Sequence, residues 1–136
     1  METNGFLALL WRIQRRVLEH ARPCLEALGT RPQHVFLLAQ AARGKRPGEI
    51  AQTLHLPPPN VSHLLGDLEE KGWIERRPDP KDRRRLLPEL TPEGHRRLEA
   101  ARRCLAEASA RLLEKLAPEE RKTLLFLLAK LEEEDG

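Results

Sequence analysis

A chain of 136 residues suffices for one domain with a buried core and needs no disulfide or metal to staple it. Leucine and alanine dominate, tyrosine is absent, and two tryptophans and three phenylalanines are the only aromatics, which favours a helical protein over a β-sandwich. Charged residues make up 33% in both signs with a net charge of +3, a solvated surface rather than disorder, and no apolar run approaches the roughly 18 residues that span a bilayer.

The N-terminus carries an acid at position 2 and lacks a basic, apolar, small-residue order, so a secretion signal is not read there and a cytoplasmic location is expected. The first helix is predicted from about Thr3 to Leu28. Its stripe of Phe6, Leu10, Ile13, Val17, Ala21, Cys24 and Leu28 recurs at spacings of three and four. Gly29 stops it. Thr30 with Gln33 three residues on reads as a capping box for a second helix, carried by Val35, Leu37, Leu38 and Ala41 to Gly44.

A short third helix is predicted over about Pro47–His55. Proline is tolerated in a first helical turn, so the run Pro57-Pro58-Pro59 starts a fourth helix near Pro58 that ends at Lys71, with Gly72 as its cap. Val61, Leu64, Leu65 and Leu68 form its inner face. Beyond Gly72 comes a short strand, a tight Pro/Asp loop and a return strand that opens with Arg83, Arg84 and Arg85. From Lys71 to Arg85 seven positive side chains stand against three negative, a net +4 in a chain whose total is +3. A basic hairpin tip suits a nucleic-acid groove. Pro88 confines the return strand to an edge or to its frayed end. Thr91-Pro92-Glu93 opens a long fifth helix to about Leu116, and Pro118-Glu119-Glu120 a sixth through Leu131. An acidic tail follows.

The third and fourth helices are spaced as a helix-turn-helix, with Ala51 at the close approach and Ile50, Leu54, Leu56, Val61 and Leu64 filling the angle. A basic hairpin directly after it makes a winged helix-turn-helix. Asn60, Ser62, His63 and Asp67 then point outward from the recognition helix. Asparagine pairs with adenine edges, and Ser and His bond bases or phosphates.

Nearly the whole chain resembles the MarR (multiple antibiotic resistance regulator) winged-helix transcription factors. The segments that carry the likeness are Arg46-Pro47-Gly48-Glu49-Ile50-Ala51, Val61 through Arg76, Pro78-Asp79-Pro80-Lys81-Asp82-Arg83-Arg84, and Leu90-Thr91-Pro92-Glu93-Gly94. The resemblance implies that Arg84 is the wing-tip arginine inserted in the minor groove, that Asp82 braces it, and that Ser62 is the hydroxyl residue of the recognition helix. His63 stands where arginine is usual. The three prolines replace a Ser/Thr-rich start and remove a cap and backbone donors, and Ala117 sits where a capping Ser or Thr is common.

The reading that follows is mainly α with a small β-wing: six helices, residues 1–30 and 92–136 as dimerisation helices and 31–91 as the DNA-binding lobe. The function is a homodimeric regulator, expected to be a repressor, on double-stranded DNA with a palindromic operator. Candidate DNA contacts are Asn60, Ser62, His63, Arg77, Arg83, Arg84 and Arg85. Trp11, off the main stripe, is a candidate wall of a pocket for a small aromatic effector, or core or dimer interface. Cys24 reads as a packed small hydrophobe, with an oxidant-sensing thiol as the alternative, and Cys104 as packing. Eighty positions apart, the two are not a disulfide framework. His20 and Cys24 supply only two ligands, so no metal is assigned, nor any cofactor. A redox- or metal-responsive switch using Cys24 and a winged-helix protein–protein module remain as other readings. No acid–base or nucleophile cluster supports an enzyme. Operator, target genes and effector are not encoded in any motif.

Overall fold

The computed structural model describes residues 3–133. The order is α1 (Thr3–Ala27), α2 (Pro32–Ala42), α3 (Pro47–Leu54), α4 (Pro58–Glu70), β1 (Ile74–Asp79), β2 (Asp82–Leu90), α5 (Pro92–Leu113) and α6 (Pro118–Glu132). The end of the predicted acidic tail, 134–136, lies outside the described residues. Six helices and one antiparallel hairpin match the architecture expected from the sequence.

Helix boundaries follow local chemistry, with one correction. Thr30 does not cap α2. Its hydroxyl donates to the Leu25 carbonyl at 2.9 Å, so it closes the end of α1 after Gly29 has reversed the chain at φ +69. Arg31 is the cap residue of α2 and gives it no side-chain bond. α3 ends on His55 in the left-handed region, and α4 ends before Gly72 at φ +76. At the start of α5 the Thr91 hydroxyl accepts the Gly94 amide at 3.0 Å and donates to the Gly72 carbonyl at 2.6 Å. One side chain thereby caps a helix and ties it to the root of the hairpin. α6 starts at Ala117, where Glu120 accepts the Ala117 amide at 2.7 Å, so the reaching carboxylate of a capping box survives without its hydroxyl.

The core gathers Leu37 and Leu38 of α2, Ile50 of α3, Val61, Leu65 and Leu68 of α4, Trp73, Ile74, and Leu98 and Ala101 of α5. α1 joins it only through its C-terminal half, where Ala21 and Leu25 are buried. The predicted single stripe on α1 is therefore divided: Phe6, Leu10 and Ile13 stand exposed on the protomer. α6 buries no residue, and Leu125, Phe126, Leu127 and Leu131 face outward.

The cysteine reading is overturned. Cys24 and Cys104 form a disulfide with Cα atoms 5.7 Å apart, within the normal range for such a bridge. α1 lies along α5, and that tertiary pairing brings together two sulfurs whose 80-residue separation carries no distance information. Cys24 is not a packed thiol; it is an exposed half of a cross-link whose other half is buried. With its sulfur in that bond, it is no ligand partner for His20.

Candidate nucleic-acid interface

β1 and β2 pair from Ile74↔Leu90 to Pro78↔Leu86 and again at Asp79↔Asp82, with a register shift between Pro78 and Asp79 that leaves Arg83, Arg84 and Arg85 unpaired, and Pro80-Lys81 make the turn. Pro88 is paired with Arg76 inside the strand, tolerable because a two-stranded sheet leaves each strand one free edge. The hairpin projects Arg83, Arg84 and Arg85 as exposed side chains. Arg84 is 91% exposed, the most outlying of the paired arginines.

The turn holds that arginine by geometry. The Asp82 Oδ1 atom accepts both the Arg84 amide and its Nε at 3.2 Å, while Oδ2 lies 3.6 Å from Arg85 Nε. Arg77, read from sequence as a DNA contact, is engaged within the sheet: its guanidinium meets Glu75 at 2.9 Å and Glu89 at 3.5 Å. Arg76 is likewise paired, with Glu69 at 3.1 Å, which fastens the wing to the recognition helix.

A second aspartate in the same turn was not singled out from the sequence. Asp79 is 2% exposed and accepts Arg46 Nε at 2.9 Å and the Lys81 amide at 2.9 Å. The Lys81 amide, and after it Arg46, holds the carboxyl below its ordinary pKa against the opposing effect of burial. The signal for half of this was present, since Asp followed by Pro-Lys is a local turn that bonds its own backbone. The Arg46 half, from the start of α3, had none.

On α4, Asn60, Ser62 and His63 are exposed as expected, with Val61, Leu65 and Leu68 turned inward. His63 Nε2 lies 3.8 Å from Asp67, and Asn60 and His63 share a shallow cleft with Gln33 and Leu56. The helix start lacks amide donors at Pro58 and Pro59, and the Asn60 amide is already given to the Pro57 carbonyl at 2.9 Å.

Between α4 and the hairpin in the chain sits Trp73, 5% exposed. Arg97 of α5 and Lys71 lie over its ring, at 5.3 and 5.1 Å from the centroid. Arg97 also donates to the Leu28 carbonyl and to Glu93 at 3.0 Å, joining the end of α1, the start of α5 and the wing root. Gly94 has no substitute there, because a Cβ would fall onto the Trp73 carbonyl oxygen. His34 meets the same ring edge-on at 6.4 Å. Its Nδ1 is buried without a partner, and burial first, then Lys71 and Arg31, push its pKa down against a smaller opposite pull from Asp67.

Trp11 is 65% exposed on the protomer. It does not line the cleft beside α1, whose walls include Arg15, Leu18, Glu19, Arg22, Leu25, Glu26 and Arg31 around a volume near 520 Å³.

Comparison with known proteins turns this geometry into an assignment. The profile described as MarR family matches residues 30–85, the helix-turn-helix and most of the wing. The structure of the transcriptional repressor CouR bound to a 23-mer DNA duplex is 32% identical, covering 92% of this chain and 90% of that one with a TM-score of 0.74. The chain belongs to the MarR family. That is a family of transcriptional regulators, not of enzymes. Among its members, the transcriptional repressor MprA of Escherichia coli K12 is 32% identical over 91 residues, 64% of this chain. The aligned part spans about half (52%) of the length of MprA. Wild-type MarR of Escherichia coli shares the fold with a TM-score of 0.83 over 98% of both chains, at 24% identity. CouR of Rhodococcus jostii RHA1 has also been crystallised with p-coumaroyl-CoA. No helix among the described residues of this MarR-family chain is long and apolar enough to cross a membrane.

Proposed function

We propose that the protein is a sequence-specific regulator, acting as a repressor, that binds a palindromic operator in double-stranded DNA as a homodimer. The observation that carries this reading is the braced wing: three exposed arginines on a hairpin, with Asp82 fixing Arg84 from both its amide and its guanidinium. Groups fixed in advance lose little freedom on contact. Asn60, Ser62 and His63 on the exposed face of α4 supply base contacts in the major groove while Arg84 enters the minor groove. One wing and one helix touch too little DNA for specific control, so two copies on half-sites about one helical turn apart are required.

The 1–30 and 92–136 helices supply the dimer in this reading, since Phe6, Ile13, Phe126 and Leu131 have no cover in the protomer. A small aromatic acid would enter the cleft beside α1, where Arg15, Arg22 and Arg31 outnumber Glu19 and Glu26 around the apolar floor of Leu18 and Leu25. Its effect would be to shift the population of dimers away from the spacing that fits DNA.

Arg84→Ala is expected to weaken binding to an operator selected from a random duplex pool at least tenfold, on the order of 1.4 kcal/mol or more, with the dimer intact. Fluorescence anisotropy checks it; unchanged affinity overturns the wing assignment.

The Cys24–Cys104 bond favours a second reading, a redox-responsive form of the same regulator. Two thiols would give up two hydrogens to a peroxide, which leaves as water, and the bond would set how α1 sits on α5. Operator affinity that is equal after dithiothreitol and after peroxide rules this out.

A further inference from the structure

The three prolines at the start of α4 leave a deficit. A helix N-terminus ordinarily offers backbone amides to a phosphate. Here Pro58 and Pro59 have none, and the Asn60 and Val61 amides are turned back to the Pro57 carbonyl at 2.9 and 3.3 Å. Backbone phosphate contacts supply much of the affinity of a DNA-binding protein, so the chain must make them elsewhere.

The loop between α2 and α3 is built for this. Gly44, at φ +74, lets it turn sharply, and the Lys45 amide bonds back to the Gln40 carbonyl at 3.3 Å, so the loop is a fixed shape. Its far end is Arg46, whose guanidinium is locked to the buried Asp79 of the wing turn at 2.9 Å. That ion pair leans the wing against the start of α3. Arg43, Lys45 and Lys81 are thereby brought to one cleft of about 460 Å³ between loop and wing. Four cations, counting Arg46, face two carboxylates, Asp79 and Glu49. Asp79 is held by Arg46, and Glu49 accepts the Arg46 amide at 3.0 Å. Among the described residues no carboxylate lies within ion-pair distance of Arg43, Lys45 or Lys81, whereas Arg76, Arg77, Arg96 and Arg97 all have one. Cations gathered without counter-charges repel one another unless an anion joins them.

We propose that the Arg43–Arg46 loop is a second DNA-phosphate contact surface, continuous with the wing, that takes over from the amide-poor start of the recognition helix. Arg43, Lys45 and Lys81 hold the phosphates, and the Arg46–Asp79 pair positions them relative to Arg84. The inference rests on the DNA-binding reading above and deepens it.

Arg43→Gln combined with Lys45→Gln tests it, measured by anisotropy on the selected operator and on a random-sequence duplex across a salt series. Arg43 is exposed and Lys45 half-buried, and circular dichroism checks that the variant folds. The expected result is a roughly tenfold loss on both duplexes alike, with the slope of log affinity against log salt shallower by about one to two. Adding Lys81→Gln should lower it by about one more. An unchanged slope in the double variant, with Arg84→Ala still weakening operator binding, overturns the loop alone. Indifference of binding to Arg84→Ala overturns the DNA reading beneath it.

Discussion

Two aspartates three positions apart in one turn do different jobs. Asp82, partly exposed, accepts from Arg84 and holds out the group proposed to meet DNA. Asp79, buried, accepts from Arg46 and Lys81 and holds the turn itself. A buried charge persists only where donors saturate it, and Asp79 has them on both oxygens. His34 is the contrasting case, buried against Trp73 with Nδ1 unpartnered and its pKa pushed down. The sign follows. The folded protein resists protonating His34, while the unfolded chain takes the proton at the ordinary value near 6.5, so this group's contribution is present above that value and is lost as pH falls through it. Urea unfolding at about pH 7.5 and 5.5 should show wild type losing more stability on acidification than His34→Phe. Parallel losses in the two proteins would refute this.

At the scale of elements, α6 is the informative one, because it buries nothing of its own. Phe126, 68% exposed, and Leu131, 66%, stand uncovered, as does the first half of α1. Phe126→Glu should convert the dimer to monomers at micromolar concentration, with helix content retained; sedimentation velocity reads the mass, and an unshifted dimer would remove α6 from the interface. What the sequence discloses about these elements depends on how local the cause is. The wing was legible because its charge excess and its turn residues lie within fifteen positions. The inner face of α4 was legible because period alone selects Val61, Leu64, Leu65 and Leu68, of which Leu64 is half-buried against the core and the others are buried. Thr30 was misread because a hydroxyl between two helices can serve either, and only the position of the Leu25 carbonyl decides. The α1 stripe was read correctly as apolar, but periodicity does not say which part meets the protomer's own core and which part is left uncovered. Arg46–Asp79, 33 positions apart, and Cys24–Cys104, 80 apart, depend on tertiary packing that no local pattern encodes.

For the whole molecule, the disulfide changes the unfolded state most. Closing a loop of this length removes chain entropy worth about 4 kcal/mol from the denatured ensemble. Cys24→Ser with Cys104→Ser should therefore lower the thermal midpoint markedly, and dithiothreitol should lower that of wild type to match; calorimetry decides, and equal midpoints throughout would deny the bond any structural weight. The bond also gives each protomer an unusual covalent topology. All of α2, α3, α4 and the wing lie inside a closed ring, and the two arms, the first part of α1 and the end of α5 with α6, leave from the same knot. A single peptide cut anywhere between α2 and the wing opens the ring without parting the arms, so a nicked protomer stays in one piece until a reductant reaches it.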